Sequence, residues 1–411
     1  MRKLKVLLIA PQPFFQDRGT PIAVRMAAEA IGADGHRVDL LTLPFGRDVA
    51  IPNVRVHRVA PVPGIRSVPI GPSWPKLVYS LRIVAKARRM LRTGEYDVVH
   101  GVEDGAVIAW HLSRGGRRLP FIYDMDSHLS AQLVERGGVY AFASGIFRWL
   151  EGAALRDAAG VLAVCPALAE VARKHRGGRG VTDLPDTPLD EEADPTPAPD
   201  VVRLPGPRIG YVGNLESYQG IDLLIAAVRM VGRTHPDAHL VVVGGSPDQI
   251  EEYRSRVGRH TGGGKVTFLG PRPLADLGSV LAAMDILVSP RLKGVNTPMK
   301  IYSYLASGKP VVATRLRTHT QVLSDSVARL VDPEPELMAE AIASLLESPD
   351  AAAALGRRGR EFVLAEYGVE RFRERITKFY RDISDSIPTK NSARTVLGPD
   401  PGGRRLEREA G

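Results

Sequence analysis

Residues Ser289–Thr314 read SPRLKGVNTPMKIYSYLASGKPVVAT. An apolar run starting at Ile286 ends in a short polar loop that reaches Lys293. A helix follows and stops at Gly308, and a strand, 310–313, begins at once. Proline is accepted in the first turn of a helix, where Pro298 falls. Gly308 stands where a left-handed cap is wanted. A loop leading into a helix leaves backbone N–H groups free for an anion, and this loop adds the charges of Arg291 and Lys293. The stretch predicts a phosphate- and sugar-binding corner of a parallel α/β domain.

Outward from that corner the same alternation continues in both directions. Residues 4–10 predict a first strand. The loop PQPFFQDRGTP follows, then a helix from about Pro21 to Ala33 with Thr20 as its cap. Strand and helix signals then alternate to about Arg176, which argues for a parallel sheet covered by helices. Residues 181–207, rich in Pro and Asp, read as a linker. Alternation resumes over 208–366. The expected organisation is a Rossmann-like domain over 1–180, the linker over 181–207, a second Rossmann-like domain over 208–366, a last helix over 367–386 and a disordered tail over 387–411. Ligands of doubly wound sheets bind at the carboxyl ends of the strands, so two such domains imply a cleft between them.

Composition narrows the classes. With 411 residues, 44% hydrophobic and 25% charged, the chain suits a two-domain globular protein. Its single cysteine, Cys165, cannot form an internal disulfide and reads as a small core residue. No signal peptide and no apolar run of membrane-spanning length are visible, so a cytoplasmic protein is expected. The net charge of +9 is uneven: +11 over residues 1–180 and −2 over the rest. No nucleic-acid-binding signature accompanies that excess, so nucleic acid is not an expected partner. Residues 75–92 hold Lys76, Arg82, Lys86, Arg88, Arg89 and Arg92 with no acid. Leu77, Leu81, Val84 and Leu91 fall on one helical face, the pattern of a helix that lies on an anionic membrane. The competing reading is a domain helix with a solvated basic face.

The segments in order resemble the GT-B retaining glycosyltransferases of family 4. They are the Gly-containing loop Gln16–Pro21, GHRVDLLT (35–42), YDVVH (96–100), GYVGNLESYQGIDLLIAAV (210–228), HLVVVGG (239–245), KVTFLG (265–270), MDILVSP (284–290) and the opening stretch. The resemblance implies an α/β GT-B fold, two Rossmann-like domains facing a central cleft. It implies transfer of a sugar, with retention, from a nucleotide-sugar to a glycan or lipid-linked acceptor in envelope polysaccharide or glycolipid synthesis. Neither a metal nor another cofactor is expected. It also implies site residues. On the donor side these are Gly19, Gly213, Asn214, Gln219, Gly244, Arg272, Arg291, Lys293, Asn296, Thr297, Lys300 and Ser303. Asp126, Glu103 and His128 are expected to touch the reacting sugar or the acceptor.

The chain departs from the family pattern at four positions. Asn214 and Gln219 stand where an arginine and a lysine usually hold the diphosphate. Val295 and Ser303 stand where two glutamates usually grip sugar and ribose. Arg291, Lys293 and Lys300 are the nearest cations in sequence to compensate. The alternative reading that these losses raise is a non-catalytic GT-B protein that binds a sugar nucleotide or serves as a scaffold. A GT-B epimerase is a third, lacking an obvious set of acids for proton abstraction.

Overall fold

The computed structural model describes residues 2–17, 19–68, 73–115, 118–127, 139–189, 195–258 and 265–387, with the backbone alone for 139–144. His128 and, beyond Ile387, the tail expected over 387–411 lie outside these residues. Two parallel sheets organise the chain. The first holds β1 (Lys5–Ile9), β2 (Arg37–Thr42), β3 (Val54–Arg58), β4 (Val98–Val102), β5 (Phe121–Met125), β6 (Gly160–Ala163) and β7 (Val181–Asp183), in the order β3-β2-β1-β4-β5-β6-β7. The second holds β8 (Arg208–Val212), β9 (His239–Val243), β10 (Lys265–Gly270), β11 (Ile286–Ser289), β12 (Val311–Thr314) and β13 (Arg329–Val331), in the order β10-β9-β8-β11-β12-β13. The central strands are apolar almost without break because helices cover both faces. All five residues of β9, HLVVV, are buried.

Side chains of a strand alternate between faces, and β1 shows the result. Leu7 and Ile9 enter one core with the helices Trp74–Thr93, Asp104–Ser113 and Pro166–Arg176. Val6 and Leu8 enter the other with the helices Gly19–Ala33 and Val369–Ser386. That last helix follows the second domain in sequence yet packs on the first. Its Phe372, Ile376, Phe379, Tyr380 and Ile383 recur at helical spacing and are buried in the first domain's core. Side chains of this size are each worth about 1.5–3 kcal/mol when buried. Tyr380 adds a polar anchor, with its hydroxyl 2.7 Å from His100 Nδ1. Gly160 makes room for the helix, since a Cβ there would stand 2.7 Å from the Phe379 ring.

Several local expectations are corrected. Thr20 does not cap its helix: the helix already begins at Gly19, and the Thr20 hydroxyl points to Glu103 Oε1 at 3.4 Å. Pro298 precedes the helix Lys300–Ala306 instead of lying in it, although Ile301 N–H donates to the Pro298 carbonyl. Gly308 does take the left-handed conformation, at φ +72°. The stretch 181–207 is less of a linker than its composition suggests. Its start is β7, and Pro199–Val202 is a helical turn whose Val201 joins the second domain's core. In the helix Trp74–Thr93 the buried face is Tyr79, Ile83 and Ala87. Leu77 and Leu81 are each 64% exposed, and Trp74 68%. The apolar face predicted from sequence is therefore split, with Val84 and Leu91 packing inward.

Candidate active site

A cavity of about 380 Å3 opens between the domains. Its walls come from loops that leave the carboxyl ends of strands: Pro11–Pro13 after β1, Glu103 after β4, Asp126 and Ser127 after β5, Val164 after β6, Asn214 after β8, and Arg291, Asn296 and Thr297 after β11. β1 and β4 are neighbours in one sheet, β8 and β11 in the other. Each pair marks the point where strand order reverses, which is where open parallel sheets leave a crevice.

The second domain supplies the cationic wall. Lys300 Nζ donates to Gln219 Oε1 at 3.3 Å and lies over the Tyr211 ring, 3.9 Å from its centroid. A Cβ on Gly213 would stand 2.6 Å from that Nζ. The ammonium thus lies among Gly213, Asn214 and Gln219, the segment from which the two family cations are missing. Desolvation first, and the Arg291 charge second, hold Lys300 well below the usual lysine range. Arg291 lines the cavity and is fixed along its length. Its guanidinium donates to the carbonyls of Lys293 (2.7 Å) and Asn296 (3.2 Å) and stacks on Tyr218. Behind it, buried His319 braces the loop. Its Nε2 lies 2.9 Å from Ser289 Oγ and its Nδ1 2.7 Å from the Thr314 carbonyl, while Thr314 Oγ1 donates to the Arg291 carbonyl at 2.6 Å. Burial pushes His319 down to about 4.

The first domain supplies an acidic wall. Glu103 holds φ +50°, a backbone region that costs a non-glycine residue energy. Its carboxylate accepts from Gln12 Nε2 at 2.9 Å. Desolvation and the charge of Asp104 raise its pKa. Asp126 is raised well above the carboxylate range, by desolvation first and then by Asp124, Glu103 and Asp186. Asp186, arriving from the segment after β7, lines the same cavity, and burial with the Asp124 charge pushes it up to about 7. Underneath, buried Asp124 lies 3.1 Å from His100 Nε2. Among the described residues, no three His, Cys, Asp or Glu side chains are grouped so as to hold a metal ion.

The loop after β11 ties the two walls together. Asn296 Nδ2 donates to the Asp126 carbonyl across the cleft. Val295, where the family has a glutamate, packs on the first domain's core, and its carbonyl accepts from Gln321 Nε2 at 3.0 Å.

The structure brings Gly19, Asn214, Arg291, Asn296, Thr297, Glu103 and Asp126 to the cavity, with Lys300, Gln219 and Gly213 directly behind. It takes four other expected residues elsewhere. Lys293 is exposed and engages Arg291 only through its carbonyl. Arg272 is ion-paired with Asp200 and does not line the cavity. Ser303 is buried, does not line the cavity, and accepts from Leu189 N–H of the interdomain segment at 3.1 Å. Gly244 serves packing: its N–H donates to the Gly270 carbonyl, and a Cβ there would reach within 2.2 Å of the Gly213 carbonyl. Sequence reasoning missed Asp186, which lay in the supposed linker, and Gln12, an uncharged residue in a loop. Lys76, read only as part of a basic helix, also lines the cavity and is paired with Asp104 at 3.1 Å.

Comparison with known proteins agrees with this geometry. The family described as "Glycosyl transferase 4-like domain" matches residues 18–183, and "Glycosyl transferases group 1" matches residues 206–348. The phosphatidyl-myo-inositol mannosyltransferase of Mycobacterium leprae is 24% identical over 84% of this chain and 88% of its own. The solved sucrose-phosphate synthase of Thermosynechococcus elongatus superposes with a TM-score of 0.76 at 22% identity, covering 93% of this chain and all of that one. Anabaena HepE in complex with UDP and glucose gives 0.70 at 18% identity, over 92% of this chain and 99% of its own. Two matched domains, two parallel sheets and a cleft at both strand switch points lead to one conclusion: the chain belongs to the GT-B glycosyltransferases of the group 1, family 4-like type.

Proposed function

We propose that the protein is a retaining, metal-independent hexosyltransferase that moves a sugar from a nucleotide-sugar to a glycan or lipid-linked acceptor, in the synthesis of envelope polysaccharide or glycolipid. The observation that carries this reading is the pairing of Arg291, with Lys300 directly behind the cavity, against an acidic wall, Glu103 and Asp126, across one cleft. A diphosphate needs positive charge and N–H donors. Lys300 supplies the charge from a new position on the chain. The sugar then lies toward Asp126, whose carboxyl accepts from hydroxyls, and Glu103 orients the acceptor. In the transfer, the bond from the anomeric carbon to the phosphate oxygen breaks as the acceptor oxygen bonds to that carbon. The hydroxyl proton passes to the departing phosphate. The protein's part is position and charge. The mannosyltransferase relative, named for an inositol lipid, and the UDP- and glucose-bound HepE support a nucleotide-sugar and a glycolipid acceptor as co-substrates.

The working site is proposed to be the inner face of an anionic membrane. Trp74, Leu77 and Leu81 are exposed beside Arg82 and Arg89. Ile146 and Trp149 are exposed on the helix Val139–Asp157, which packs on the same core. Apolar residues flanked by arginines suit a lipid headgroup layer. No helix among the described residues is long and apolar enough to cross a membrane.

Calorimetric titration with UDP, GDP, ADP and dTDP, each alone and as sugar conjugates, tests the reading. One nucleotide is expected to bind, with a further gain from its sugar, and to be released on turnover. Absence of binding across the panel would favour the non-catalytic scaffold, for which the changes at Val295 and Ser303 are the specific observation.

A further inference from the structure

The helix Gly19–Ala33 stands between two cavities that share no lining residue. Gly19, Thr20, Pro21 and Ala23 line the cleft already described. Ile22, Arg25, Met26 and Glu29, at the i, i+3, i+4, i+7 spacing of a single helical face, line a second cavity of about 260 Å3. Its other sides come from distant parts of the chain. Phe15 follows β1, Thr187 and Leu189 belong to the segment that joins the two domains, Leu274 comes from the second domain, and Phe372 from the helix that returns to the first. Both connections between the domains therefore run along its walls.

The buried part of this lining is apolar except at Thr187. Thr187 is 1% exposed, and its hydroxyl oxygen has no hydrogen-bond partner among the described residues. A buried polar atom in that state costs free energy until something satisfies it. The charged residues of the lining are partly or fully exposed, and each is already matched. Arg25 Nε donates to Glu29 at 2.7 Å, with its guanidinium over the Phe15 ring, and Arg373 is paired with Glu370 at 2.6 Å.

We propose that this cavity is a second ligand site, for a small uncharged molecule with an apolar body and one hydroxyl or carbonyl group. An apolar cavity of about 150 Å3 holds a benzene ring, so this one suits a body of roughly ten heavy atoms. Ile22, Met26 and Phe372 pack on the body, as apolar walls do in ligand pockets. Thr187 meets the polar group, because a hydroxyl both donates and accepts. A charged ligand would give up its water here without meeting an unpaired partner. A bound molecule would touch both domains and the segment between them at once, and so would favour the arrangement in which they meet.

The probe is 1-naphthol, a fused apolar ring system with one hydroxyl, followed by its own fluorescence as protein is added. Its dissociation constant is expected below about 1 mM. 1-Naphthoate, which carries a carboxylate in place of the hydroxyl, should bind at least about tenfold more weakly. Thr187→Val keeps the shape and removes only the hydroxyl. It should weaken 1-naphthol binding about three- to tenfold without lowering the thermal midpoint. Met26→Trp fills the cavity and should abolish binding, with circular dichroism to check that both variants fold. No binding of 1-naphthol would overturn the proposal, as would equal binding of 1-naphthoate. Binding that survives both substitutions unchanged would also overturn it, by placing the probe elsewhere on the molecule.

Discussion

Lys300 Nζ and Gln219 Oε1 are 3.3 Å apart, and this contact sets a lysine from the helix after β11 against the segment after β8 where the family carries its own cations. Lys300 Nζ thus stands beside the segment that carries Asn214 and Gln219. A hydrogen bond to a charged group is worth about 1.5–3 kcal/mol. Lys300→Met should therefore weaken nucleoside diphosphate binding by roughly ten- to a hundredfold, and Arg291→Ala should do likewise. Lys293→Ala should change it by less than about twofold, since an exposed cation contributes little. Calorimetry on the three variants separates these outcomes, and equal losses in all three would contradict the assignment.

Proton linkage gives an independent reading of the same lysine. Desolvation and Arg291 hold the Lys300 pKa down in the empty site. A bound diphosphate supplies the missing negative charge and raises that pKa again. Nucleotide binding should take up protons at pH values between the lowered and the restored pKa of Lys300, visible as a binding heat that depends on the ionisation enthalpy of the buffer. The uptake should vanish in Lys300→Met.

His319 makes stability pH-dependent with a definite sign. Its pKa is about 4 in the folded chain against about 6.5 when unfolded. As pH falls the unfolded state takes up the proton first. The stabilisation is complete above about 6.5 and is lost on the way down to about 4, amounting to about 3 kcal/mol. Urea unfolding across that range should show the decline, and His319→Asn should flatten it.

Ser303 tests whether the lost glutamate position has acquired a structural duty. Its hydroxyl oxygen is the acceptor for Leu189 N–H. Ser303→Ala leaves that donor unpaired in a buried place, at a cost of about 1–3 kcal/mol. Thermal unfolding should show the loss while nucleotide affinity stays unchanged. A drop in affinity without a drop in stability would return Ser303 to the ribose.

Leu77 and Leu81 project into solvent from a helix that also carries exposed arginines. If they enter a lipid layer, replacing both with Asp should reduce co-sedimentation with phosphatidylglycerol vesicles by at least about tenfold, since each buried leucine contributes about 1.5–3 kcal/mol. Phosphatidylcholine vesicles should bind weakly in either case. Unchanged sedimentation of the double variant would assign the helix to packing alone.

The strands were legible because parallel sheets covered on both faces leave uninterrupted runs such as VLLI and HLVVV, and turn chemistry such as Gly308 marks where a helix stops and the next strand can begin. The cavity loops were legible by position, since they follow strands that meet at the switch points. Side-chain direction was not legible. Nothing local tells that Arg272 turns to Asp200, that Ser303 turns to Leu189, or that Leu77 faces out while Tyr79 faces in, because each depends on a partner distant in sequence. Asp186 was hidden for a different reason. A stretch dense in Pro and Asp has the composition of a linker, and only the assembled domains show that one of its carboxyls closes the cleft.

The helix Val369–Ser386 closes the core of the domain that the ribosome makes first. Roughly 185 residues separate the end of β7 from the start of that helix. At about 5–20 residues per second, the nascent first domain waits about 10–40 s with one apolar flank bare. Throughout that interval the half-made chain exposes apolar surface of the kind that promotes aggregation. A gene cut between the two sheets would encode a first half that never acquires its final wall, whereas one rearranged to place this helix ahead of β1 would let each half mature as it emerges.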